Sequence, residues 1–99
     1  MAALDHLIQF GFEHISNWTL KNEKIKLQSL DWKEHGGWLY AFVVDGEVKY
    51  IGLTRGVLRS RMDNYTHMDH SQTSRIRESI VDELRSSRPV LIYGWRKPE

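Results

Sequence analysis

The chain is 99 residues long, enough for one domain around one modest core. Hydrophobic residues make up 40% and charged residues 27%, and a formal net charge of +1 neither demands nor excludes a polyanionic partner. With no cysteine there are no disulfides, thiolate metal centres or cysteine nucleophiles, so any metal would be held by oxygen or imidazole.

In chain order, "LDHLIQFGFEHI" (residues 4–15) reads as a short N-terminal helix carrying Leu4, Leu7, Ile8, Phe10 and Phe12. "KIKLQSL" alternates, with Ile25 and Leu27 on one side, and reads as an edge strand. "DWKEHGG" is a loop. "WLYAFVV" is a strand by its aromatic and β-branched content, and it is far too short an apolar run to span a bilayer. Since no signal peptide opens the chain either, a cytoplasmic protein is expected. Asp45 and Gly46 turn the chain, and "EVKYIGL" returns antiparallel. A helix is predicted over 57–67, with Leu58, Met62 and Tyr65 at core spacing. A second is predicted over 74–86, with Ser74 as its N-cap and Ile76, Ile80, Val81 and Leu84 inward. "RPVLIYGW" is a further strand, with Pro89 at its mouth, where a missing N–H does least harm. The sum is an α+β domain: a small antiparallel three-stranded sheet flanked by helices, to which the N-terminal helix and edge strand are added. One domain fills residues 1–99, with 1–37 as an N-terminal extension and 38–99 as the core.

Every arginine lies at or beyond residue 55, whereas the first half uses lysine. Arginine is the better phosphate donor because its planar fork bonds two oxygens at once, although a solvated helical surface explains the same distribution. Tyr40 and Tyr50 stand on opposite arms of the hairpin, and the turn decides whether they meet. A two-residue turn pairs Val44 with Glu47, sets Tyr40 opposite Ile51 and sends the tyrosines to opposite faces. A three-residue loop with Gly46 as bulge residue sets Tyr40 opposite Tyr50 on one face. Aromatic cross-strand pairs also stabilise sheets with no further role, by about 0.2–1 kcal/mol each.

Three motifs follow one another here. "WLY" ends in Tyr40; "YIG" spans Tyr50, Ile51 and Gly52 and is followed by Thr54; "LRSRMDNY" runs from Leu58 to Tyr65. In this order the segment 38–65 resembles the GIY-YIG nuclease family, with "WLY" standing where Gly-Ile-Tyr would be and one extra residue in the Arg55-Gly56 turn. The resemblance implies hydrolysis of a DNA phosphodiester by water with one divalent cation, Mg²⁺ or Mn²⁺. It implies that Tyr40 and Tyr50 assist deprotonation of the water, that Arg61 binds the phosphate under attack, and that Tyr65 hydrogen-bonds a phosphate oxygen. Gly52, Thr54, Arg55, Arg59 and His67 would then face substrate. Physical chemistry supports the type of residue: a guanidinium stabilises charge gathering on non-bridging oxygens, and a tyrosine needs a nearby cation to act as a base near neutrality. Each position also has a plainer reading. Arg59 is four residues from Asp63 and suits an exposed pair, Arg61 suits a solvated helix, and "HMDH" lacks a third ligand for zinc.

The family also places a metal-binding glutamate on a helix after the third strand. Here that strand is followed by "RKPE" and the sequence stops, so the metal ligand is unassigned and a truncated nuclease is expected. Glu78 and Asp82 lie on the outer face of the helix before it. The alternatives are a DNA-binding module of the same fold that does not cleave, and a small interaction domain that does not bind DNA. DNA sequence or structure preference and oligomeric state are not legible.

Overall fold

The computed structural model describes residues 4–22, 24–28, 37–55, 62, 65 and 71–96, with side chains in the last stretch from residue 74. Helix α1 (Leu4–Phe10) leads into strand β1 (Glu13–Lys21), which turns into β2 (Lys24–Leu27). Strands β3 (Trp38–Val44) and β4 (Glu47–Thr54) form a hairpin, and helix α2 (Ser71–Arg85) precedes β5 (Val90–Arg96). The sheet order is β2-β1-β5-β3-β4, and every neighbouring pair is antiparallel.

The α+β class expected from sequence holds, but the sheet has five strands rather than three. The strand that sequence reading missed is β1. Its polar residues His14, Ser16, Asn17 and Thr19 look like a helix tail or loop, and a register shift between His14 and Ser16 interrupts its alternation. Ser16 is nonetheless buried and donates its hydroxyl to the Gln28 carbonyl at 2.7 Å, so its polarity is satisfied. What stops α1 short of β1 is Gly11, at φ 121°. Its N–H bonds the carbonyl of Ile8 while that of Phe12 reaches back to Leu7, the paired bonds of a Schellman cap, and Phe12 packs in one cluster with Leu7. Strand β2 is the expected edge. Strands β1 and β2 thus belong to the same sheet as β3, β4 and β5.

Strand β3 is apolar along its length because it lies between β5 and β4 and buries both faces. One face carries Trp18, Trp38, Tyr40, Phe42, Val90 and Ile92, which pack with Ile80 of α2 and with Met62 and Tyr65. The other carries Ala41, Val43 and Val48 under Leu7 and Phe12. Fully buried side chains of the size of Trp18, Phe42 and Ile92 contribute about 1.5–3 kcal/mol each, so the first face dominates stability. On the second face α1 covers only part of the sheet. Ile51 and Leu53 stay 48% and 56% exposed beyond its reach.

Met62 and Tyr65 are both helical and buried, as expected of the segment 57–67, whose other residues lie outside the described set. Helix α2 starts at Ser71 rather than at 74. Ser74 is therefore interior, and its hydroxyl accepts from Arg77 instead of capping. At the other end Ser87 takes φ 62° and Arg88 N–H bonds the Glu83 carbonyl, a second Schellman cap without glycine. Pro89 sits just before β5 and removes no ladder bond from that interior strand. No described helix is long and apolar enough to cross a membrane.

Candidate active site

The β3–β4 hairpin closes with Asp45 at φ 53° and Gly46 at φ 74°, both left-handed, as a two-residue type I′ turn requires. Val44 pairs with Glu47 and Val43 with Val48, after which Lys49 is skipped and Phe42 pairs with Tyr50. This bulge was not foreseen, and it yields neither register considered from sequence. Tyr40 lies opposite Gly52, not Ile51 or Tyr50. The extra residue restores parity, so Tyr40, Phe42, Tyr50 and Gly52 share one face despite the short turn.

Facing Gly52 across the strands is what gives the Tyr40 ring its place. A Cβ at position 52 would lie 2.7 Å from Tyr40 Cε2 and closer still to Cζ and Oη. Glycine is needed here for this close approach, and the group that approaches is the tyrosine of the first motif.

With its ring laid over the glycine, Tyr40 reaches the helical Tyr65, and their hydroxyls are 2.7 Å apart. Tyr50 completes a triangle: ring centroids are separated by 6.1 Å for Tyr40–Tyr50 and by 6.4 Å for both Tyr40–Tyr65 and Tyr50–Tyr65. Phe42 forms the floor, within 5.4–5.7 Å of all three rings, and Trp18 backs it edge-on. Tyr40 and Tyr65 are buried; Tyr50 alone of the trio keeps partial exposure. Burial, followed by hydrogen bonding with Tyr40 and Tyr50, pushes the Tyr65 hydroxyl far above its ordinary range. Tyr65 therefore stays neutral, and either hydroxyl of the Tyr40–Tyr65 pair can donate to the other. Tyr50 is the hydroxyl nearest solvent, with the Tyr40 and Tyr65 hydroxyls behind it.

Gly52 and Thr54 are half-buried on β4 and Arg55 is exposed just after it. Arg59, Arg61 and His67 lie outside the described residues. Tyr65 turns toward the hairpin tyrosines, a partner that helical spacing from Arg61 did not reveal. Sequence reading also overlooked Arg77. From half-buried α2 its guanidinium donates to the Tyr65 carbonyl at 3.4 Å and to Ser74 Oγ at 3.3 Å, fastening the helix that carries Tyr65. Its signal was a cation beside the inward stripe of Ile76 and Ile80 rather than opposite it.

Beside Tyr50 a groove of about 280 Å³ runs between β4 and α2, lined among others by Lys49, Ile76, Ile80 and Glu83. The Glu83 carboxylate is engaged by Arg88, and Glu78 and Asp82 are exposed as expected. No group of three His, Asp or Glu side chains able to hold a metal occurs among the described residues. The described donors thus do not by themselves form a protein-built metal cage.

No family model and no curated protein matches the chain. Among solved structures, it is similar to a mutant of EndoII from bacteriophage T4, with a TM-score of 0.79 and 22% identity over 96% of this chain and 74% of that one. It is also similar to the restriction endonuclease HPY188I in complex with product DNA, with a TM-score of 0.67 and 18% identity over 94% of this chain. The chain spans 60% of the length of HPY188I. What the protein shares with both endonucleases is a fold.

Proposed function

We propose that the protein is a DNA endonuclease of the GIY-YIG type that hydrolyses phosphodiester bonds. The observation that carries this reading is the convergence of Tyr40, Tyr50 and Tyr65 on one sheet face, with Gly52 cleared for the Tyr40 ring. The three motifs recognised in sequence thereby meet in space, in a fold that two DNA-cutting enzymes also use. In the proposed reaction a water oxygen attacks phosphorus, one P–O ester bond breaks, and the products are a phosphate monoester and a hydroxyl. Tyr50, the most accessible hydroxyl, with the Tyr40 ring beside it, accepts the water's proton while releasing its own to solvent, and the departing oxygen takes up a proton from solvent. Tyr65 stays protonated and donates toward the oxygen that gains charge. Arg61 is assigned to the phosphate under attack, and Gly52, Thr54, Arg55, Arg59 and His67 to substrate contact. One divalent cation, Mg²⁺ or Mn²⁺, belongs to the reading and would supply Lewis acidity at the phosphate.

A second reading, a DNA-binding module of the same fold that does not cleave, is favoured by the lack of a three-ligand cluster among the described residues. Incubation with supercoiled plasmid and Mg²⁺ or Mn²⁺ decides between them. Nicking that EDTA and Arg61→Ala both abolish supports the nuclease. Salt-sensitive binding without nicking supports the module, and neither activity removes DNA from the account.

A further inference from the structure

At the opposite edge of the sheet from the tyrosines, the β1–β2 hairpin gathers lysines. Lys21 pairs directly with Lys24, and Thr19 pairs with Lys26. Since Lys24 and Lys26 are two residues apart on β2, all three ammonium groups stand on one face, with Thr19 opposite Lys26 and its hydroxyl donated to the Lys26 carbonyl at 3.0 Å. The opposite face of the hairpin holds Leu20 and Ile25 against the core. All three lysines are exposed, and no ion pair among the described residues involves them. Like charges placed directly across a ladder are destabilising, so the Lys21–Lys24 pair costs the free protein stability. Near the turn these lysines and Asn22, itself left-handed at φ 53°, line a shallow concavity of about 400 Å³. The polar row continues inward, where the Asn17 amide donates to Gln28 Oε1 at 2.8 Å.

We infer that this hairpin face is a second nucleic-acid contact, which binds DNA backbone phosphates away from the cutting site. A polyanion removes the Lys21–Lys24 repulsion and meets three point charges with the Asn22 amide beside them, groups of the kind that position proteins on phosphates. Lys24 and Lys26 are about 6.8 Å apart along the strand, roughly the axial rise of two phosphates on one DNA strand. Strands β2 and β4 are four spacings apart, about 19 Å, and the lysines and tyrosines stand on opposite faces. The contact is therefore to DNA flanking the cut or to a second segment. The choice of DNA as the polyanion rests on the nuclease reading; the anion-binding face does not.

The test is anisotropy of a labelled duplex of about 30 base pairs, titrated with the full chain in EDTA between about 50 and 200 mM salt. The Lys21→Gln/Lys24→Gln/Lys26→Gln variant should lose affinity and reduce the slope of log K against log salt by about 2 to 3. The matching lysine-to-arginine variant should keep the wild-type slope, and plasmid nicking at saturating protein should survive in both. A slope unchanged in the glutamine variant overturns the inference. If that variant also self-associates, the lysines act only as edge guards for β2. A reduced slope in a protein that never nicks DNA would sustain this contact while removing the nuclease reading.

Discussion

The hydroxyls of Tyr40 and Tyr65 lie 2.7 Å apart in the buried interior, joining the first strand of the hairpin to a helix 25 residues later. Each is a buried partner of the other, so truncating one removes a hydrogen bond from the interior. Tyr40→Phe or Tyr65→Phe should each lower stability by about 0.5–1.5 kcal/mol. The double variant should cost less than the sum, with a coupling of at least about 0.5 kcal/mol in urea unfolding. Strict additivity would show that the contact contributes nothing to the fold.

Gly52→Ala tests the clearance that lets this contact form. The added methyl would overlap the Tyr40 ring, which has Phe42 and Tyr65 on its other sides. A loss of about 1–3 kcal/mol is expected, and plasmid nicking should fall with it. Gly46→Ala provides a control of a different kind: nothing lies within 4 Å of a Cβ there, so its cost is that of the left-handed backbone alone.

Alkaline pH should unfold the protein through Tyr65. In the folded state this hydroxyl holds its proton well above the ordinary tyrosine value near 10, while in the unfolded chain it ionises there. The unfolded state thus binds fewer protons above pH 10, and stability falls as pH rises from that point, by up to about 1.4 kcal/mol per unit. Denaturation midpoints measured from pH 8 to 11 should show this decline in wild-type protein and a shallower one in Tyr65→Phe.

Ser87→Gly should stabilise. Position 87 ends α2 in a left-handed conformation that costs a side-chain-bearing residue and not glycine. A gain of about 0.5–1 kcal/mol is expected, visible as a rise of several degrees in the melting temperature.

What the sequence revealed, and where it fell short, follows from how each signal is encoded. Strand β3 was legible because "WLYAFVV" is apolar at every position, and the core positions of α2 because Ile76, Ile80 and Leu84 keep a four-residue interval. Strand β1 was hidden because its burial depends on a tertiary partner: Ser16 becomes a core residue only once Gln28 of the neighbouring chain segment accepts its hydroxyl. The meeting of Tyr40 with Tyr50 was legible as an alternative, but the bulge that achieves it, the skipped Lys49, follows from ladder geometry that no residue type announces. Tyr65 was identified by motif spacing, whereas its inward turn toward Tyr40 requires the helix to be docked, with Arg77 holding its backbone.

The proposal that the tyrosine trio is a cleavage site is tested best at Tyr50, because Tyr50→Phe leaves the Tyr40–Tyr65 bond and the Gly52 clearance in place. Single-turnover cleavage of a labelled duplex in Mg²⁺ would be compared for wild type and Tyr50→Phe, with bound fraction measured in EDTA. A rate lower by about 10²-fold or more, at unchanged binding and folding, is the expected result. Cleavage at the wild-type rate would remove Tyr50 from the chemistry and with it the reading of this face as the active site.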